Sequence, residues 1–150
     1  MKKVNALLAI GIILLFTSIV LSGCKKKEST PAVTTVKGTV SFPAGVSGDL
    51  SNAKVSLYTS LTEWQNNVPV KFGAVTGSGA SVTFSLTSIL AGTYYLDVWK
   101  DIDNSATWSV GDFVGWYGTG GIGNPSLTPF QVTDGATFTA NVTMYIIAKK

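Results

Sequence analysis

The chain contains no histidine and no arginine, a single cysteine at Cys24, and one glutamate, Glu63, beyond its N-terminal segment. Each scarcity removes a class of chemistry. Without histidine there is no imidazole general base and no ready soft-metal ligand. Without arginine the planar fork that clamps phosphates and carboxylates is missing. One cysteine excludes an internal disulfide, so the folded part must be held by its core alone. Helical stripes of apolar residues are also nearly missing. Positive charge is scarce where it would matter: the formal +3 comes from lysines at the two ends. Between residues 36 and 148 only Lys37, Lys54, Lys71 and Lys100 stand against Asp49, Glu63, Asp97, Asp101, Asp103, Asp112 and Asp134, a net of about minus three. A basic nucleic-acid footprint is therefore absent, and no nucleic-acid partner is expected.

What is present begins with an address. Met1, Lys2 and Lys3 precede an apolar run of about 16 residues ending at Leu21, the charged and apolar regions of a secretory signal peptide. The run is shorter than the roughly 20 residues that span a bilayer. Its end, Leu21-Ser22-Gly23-Cys24, resembles the lipobox of bacterial lipoproteins. That resemblance implies a signal peptide over residues 1–23, lipidation of Cys24, and anchoring by several acyl chains, which hold stably where one would not. Residues 24–35, rich in Lys, Ser, Thr and Pro, read as a tether, leaving residues 36–150 as a single domain. Lys25, in place of an Asp after the cysteine, points by analogy with enterobacterial sorting to the outer membrane, on its periplasmic or outer surface.

From Val36 the pattern has period two. Val36, Gly38, Val40 and Phe42 mark one strand, Val55, Leu57 and Tyr58 a second, residues 69–76 a third, Val82, Phe84 and Leu86 a fourth, residues 92–99 a fifth and residues 113–117 a sixth. Residues 61–67 suit a short helical turn. Residues 118–129 hold too many glycines and prolines to be regular. Phe130 and Val132 open a seventh strand, Asp134-Gly135 reads as a hairpin turn, and Phe138 to Ile146 complete the sheet. Seven to eight short strands with evenly spaced turns predict an all-β, antiparallel β-sandwich. The segments Val36-Lys37-Gly38-Thr39-Val40 and Ala53-Lys54-Val55-Ser56-Leu57, with the return through Leu90-Ala91-Gly92-Thr93-Tyr94-Tyr95-Leu96, resemble the prealbumin-like sandwiches of the carboxypeptidase regulatory domain type. These are turn and core positions, so the resemblance implies a fold and no activity. Residues 100–118 are similar to a bacterial lipoprotein variant with an Asp-rich turn followed by G-x-Y.

The only group of metal-type ligands is the stretch from Asp101 to Asp112. On the twelve-position scheme of an EF-hand loop, Asp101 falls at position 1, Asp103 at 3, Ser105 at 5, Thr107 at 7 through its carbonyl, Ser109 at 9 and Asp112 at 12. Three features depart from that scheme: Ala106 stands where a glycine makes the turn, Asp112 replaces a longer glutamate, and strands flank the loop. Three carboxylates with neutral oxygens predict calcium held weakly, at about 10⁻⁴ M. The alternative is a solvated loop whose aspartates bond nearby amides. Trp99, Trp108, Trp116 and Tyr117 crowd the loop and form a candidate sugar-binding surface, with Trp99 expected on the solvent side of its strand, although strand aromatics also serve as packing. A hydrolase pairing Asp97 or Asp101 with Asp112 is conceivable, but a sandwich this small offers little cleft. The expected function is thus a non-enzymatic, membrane-anchored binding or structural module. A calcium-assisted carbohydrate-binding module, contacting glycan, is the alternative. An accessory contacting another envelope protein through exposed strand edges is a third.

Overall fold

A computed structural model describes residues 33–149. The signal peptide, Cys24 and nearly all of the tether lie outside the described residues. Among those described, no helix is long and apolar enough to cross a membrane.

The fold is all-β apart from one turn of helix. β1 (Thr35–Ser41), β2 (Lys54–Tyr58), α1 (Leu61–Gln65), β3 (Lys71–Ala74), β4 (Ser81–Thr87), β5 (Gly92–Lys100) and β6 (Phe113–Trp116) lie close to their expected positions, although β3 is largely exposed. Two-residue strands β7 (Gly118–Thr119) and β8 (Ser126–Leu127) pair across the glycine-rich stretch, which is thus more regular than its composition implies. β9 (Phe130–Val132), β10 (Thr137–Thr139) and β11 (Val142–Ile146) end the chain.

The strand pairing corrects the expectation of seven or eight purely antiparallel strands. Eleven strands form a mixed arrangement in which β1 runs parallel to β10 and β11, while the remaining pairs are antiparallel. Asp134-Gly135 is a turn, with Gly135 at φ 71°, yet it makes no hairpin. β9 joins β5 and β10 joins β1, so the turn carries the chain between distant strands. Local turn chemistry reveals a reversal, but the partner of each arm is decided by the whole sheet.

Hydrogen bonding runs β4-β1-β11-β6-β5-β2-β3, and a bridge between Thr76 and Thr83 joins the far end back to β4. The sheet therefore curls around one core. Val36, Val40, Val55, Leu57, Leu96, Val98 and Met144 are fully buried there. Gly38 lies where β1 passes from β10 to β11, and a side chain at that position would collide with the Ala140 carbonyl.

β5 is central, pairing with β2 along one edge and with β9 then β6 along the other. Tyr94, Leu96 and Val98 enter the main core, as the alternation predicts. The opposite face is also covered. Trp99, Val114, Trp116 and Leu127 form a second apolar cluster there, with Trp64, Tyr95, Ile122 and Tyr145 packed on it. Trp99 is only 9% exposed, so the expectation that its face meets solvent fails. The cover comes from α1 and from the segment spanning β7 and β8, neither of which an alternation pattern reports.

α1 is short but capped. The Ser60 hydroxyl accepts from the Glu63 amide, and the Glu63 carboxylate reaches back to the Thr59 amide and hydroxyl, both at 2.7 Å. This reciprocal arrangement is a close variant of the capping box. Those bonds hold the Glu63 carboxyl below its usual range. The cap fixes where Trp64 points.

Candidate functional site

The Asp-rich loop joins β5 to β6. Asp101, Asp103 and Asp112 each present an oxygen, and these three atoms lie within 4.8 Å of one another. Two oxygens on opposite sides of a calcium ion stand up to about 5 Å apart. The spacing therefore fits one shared ion.

The three carboxylates are held differently. Asp112 is fully buried. One of its oxygens accepts from the Ile102 amide at 2.9 Å, the other from the Ser109 amide at 3.0 Å and the Trp99 indole at 3.2 Å. It closes the loop upon its own strand ends. Asp101 is half-buried and accepts from the Ser105 amide at 3.1 Å and the Ala106 amide at 2.8 Å. Asp103 is exposed and accepts from the Ser105 amide at 3.1 Å and the Ser109 hydroxyl at 2.9 Å. Side-chain bonds from Ser105 and Ser109 lower its pKa. Ser105 Oγ donates to the Thr107 carbonyl at 2.9 Å, so the residues at positions 5 and 7 are in mutual contact.

These bonds are the ones expected of a loop that organises itself without an ion. They leave room for one. A carboxylate offers about four acceptor positions, and Asp101 and Asp103 each use two. Three carboxylates this close repel one another unless a cation intervenes. Among the described residues the one ion pair joins Lys100 to Asp49 at 3.6 Å, leaving no basic side chain on the cluster.

Ala106 departs from the EF-hand pattern at the turn, and its backbone shows the consequence. It sits at φ 59°, in the left-handed region that glycine adopts freely. That conformation costs an alanine about 1–2 kcal/mol, against about 0.4–1 kcal/mol of extra unfolded-state entropy for glycine. Ala106→Gly is accordingly expected to stabilise the fold by about 0.5 kcal/mol, read as a higher urea midpoint at unchanged m-value.

The aromatic residues divide. Trp116 is buried, stacked on Tyr145 at 5.4 Å, and its indole donates to the Thr119 carbonyl at 2.7 Å. Tyr117 packs edge-on against Phe130 and Phe138 at the margin of the main core. Both serve packing. Trp108 is 37% exposed and meets Trp64 edge to face at 6.1 Å. With Trp99, these two line a cleft of about 430 Å³ whose other walls are Gln65, Asn66, Asn67, Asp97, Ala106 and Thr107. So small a sandwich was expected to offer little cleft.

Asp97 enters the sequence reading only as one half of a conceivable hydrolase pair, and its burial beside the cleft was not expected. It is 5% exposed and accepts from the Trp64 indole at 3.0 Å and the Tyr58 hydroxyl at 3.3 Å. Burial pushes its pKa up to about 7, against the opposing pull of those two bonds and of the Lys54 charge. The same burial, with the Asp97 charge beside it, pushes the Tyr58 hydroxyl upward. One signal was legible: a carboxylate between Leu96 and Val98 in a central strand.

Comparison with protein-family models, curated proteins and solved structures returns no match. The functional reading therefore stands on the residues and their geometry.

Proposed function

We propose that this chain is a non-enzymatic, lipid-anchored protein of a bacterial envelope, whose β-sandwich of mostly antiparallel strands displays a calcium-stiffened loop. The observation that carries the metal reading is the convergence of Asp101, Asp103 and Asp112. Calcium suits this donor set best: the ligands are hard oxygens, and no histidine and no second cysteine offers a softer one. Ser105, the Thr107 carbonyl and Ser109 complete the shell, and the anchoring rests on Cys24 with the lipobox before it. The mixed curled sheet supports a prealbumin-like sandwich, with β10 and β11 added alongside β1.

Terbium provides the test, because it replaces calcium in oxygen sites and is sensitised by nearby indoles such as Trp108. Excitation of tryptophan in the purified full chain should yield terbium emission that calcium displaces and that the Asp101→Asn, Asp103→Asn double variant lacks. Emission absent from the wild type, or equal in the variant, overturns the metal reading.

A further inference from the structure

The cleft beside the loop has walls from three separate parts of the chain. α1 and the turn after it supply Trp64, Gln65, Asn66 and Asn67; β5 supplies Asp97 and Trp99; the loop supplies Ala106, Thr107 and Trp108. Its volume of about 430 Å³ lies within the roughly 300–1,000 Å³ of small-molecule sites. Two indoles set at 67° make a corner, so a ring placed there meets aromatic surface on two sides.

Charge narrows the occupant. An anion would face the Asp97 carboxylate. The pull of Asp97 on a cation is offset by Lys54, which lies outside the cleft lining, rests 5.7 Å from the Trp99 ring centroid and acts on Asp97 through its charge. A neutral ligand meets no charge penalty, and tetramethylammonium in the titration below decides between the two. The polar rim includes Thr107 and three residues with side-chain amides, each amide both donor and acceptor, which is what hydroxyl groups require. Asn67 is placed among them: its side chain lies 3.4 Å from the Tyr58 hydroxyl, and its backbone holds a left-handed φ of 52°. On the floor, the Asp97 carboxylate keeps acceptor positions beyond the two donors it meets.

We infer that this cleft binds a neutral saccharide, with the sugar ring in the corner between Trp64 and Trp108 and its hydroxyls on Gln65, Asn66, Asn67 and Asp97. Apolar C–H faces meet the indoles while the hydroxyl edge meets the amides. The site differs from the aromatic set expected from sequence, since Trp116 and Tyr117 take no part and Trp64 does. It stands on the cleft and does not depend on the metal reading.

The test is fluorescence and calorimetric titration of the full chain, in excess calcium and separately in EDTA, with cellohexaose, laminarihexaose, chitohexaose, xylohexaose and mannohexaose. Tetramethylammonium is the cationic comparator. Saturable binding of at least one oligosaccharide with Kd below about 1 mM is expected. Trp108→Ala should weaken it at least tenfold, and Leu90→Ala, a highly exposed position outside the cleft, should leave it unchanged. Binding in both media, or in calcium alone, supports the cleft; the metal reading is judged by terbium and not by this comparison. No binding to any of the five sugars, binding indifferent to Trp108→Ala, or tighter binding of tetramethylammonium overturns the inference.

Discussion

Asp97→Asn should stabilise the fold at pH 8 by up to about 4 kcal/mol, and by less than half of that at pH 5. The carboxyl is raised from 3.8 to about 7 by burial, and each pK unit corresponds to about 1.4 kcal/mol. The sign follows from proton binding. Between about pH 4 and pH 7 the folded chain keeps a proton on Asp97 that the unfolded chain has released, so stability falls as pH rises. Above pH 7 the folded chain carries a buried anion and the penalty is complete. The titratable groups facing Asp97 are Tyr58 and Lys54 on β2, and the Tyr58 hydroxyl is pushed upward, away from this window. Asp49, Glu63 and Asp103 are held below their usual range, and their contribution is lost only as pH falls below about 4. Asparagine is isosteric and still accepts from the Trp64 indole. Urea denaturation of both proteins from pH 5 to pH 8 checks this. A variant less stable than the wild type at pH 8 would mean that the bonds from Tyr58 and Trp64 outweigh burial.

Asp112→Ala is expected to cost about 3–5 kcal/mol in EDTA, before any loss of bound calcium. The substitution strands the Ile102 and Ser109 amides and the Trp99 indole, all bonded to this one carboxylate. An unsatisfied buried donor costs about 1–3 kcal/mol. Asp103→Ala, at an exposed carboxylate, should cost under about 1 kcal/mol in EDTA. Denaturant midpoints of the two variants in EDTA provide the comparison. Equal losses would show that Asp112 gives the loop no internal anchor.

The strands were legible because period-two alternation survives wherever one face meets the core, as in Val82, Phe84 and Leu86. The parallel pairing of β1 with β10 and β11 was not, since nothing local to Thr137–Thr139 names its partner. The convergence of Asp101, Asp103 and Asp112 was legible from their clustering in one short loop. That Asp112 is buried and Asp103 exposed depends on Trp99 and the loop amides folding around one and not the other. The cleft escaped for a related reason. Trp64 and Trp108 are far apart in sequence, and only the capped turn of α1 laid over β5 brings them to 6.1 Å.

The most direct measurement of the central claim is calcium titration of the purified full chain by calorimetry, paired with its melting temperature. At calcium near 100 times a Kd of about 10⁻⁴ M, native-state binding contributes about 2.7 kcal/mol. For a domain of this size that raises the melting temperature by on the order of 10 °C. The account predicts binding heat at that affinity and a rise in melting temperature that the Asp101→Asn, Asp103→Asn variant abolishes. No heat and an unchanged melting temperature in saturating calcium would contradict it, leaving Asp101, Asp103 and Asp112 as clasps of a loop that needs no ion.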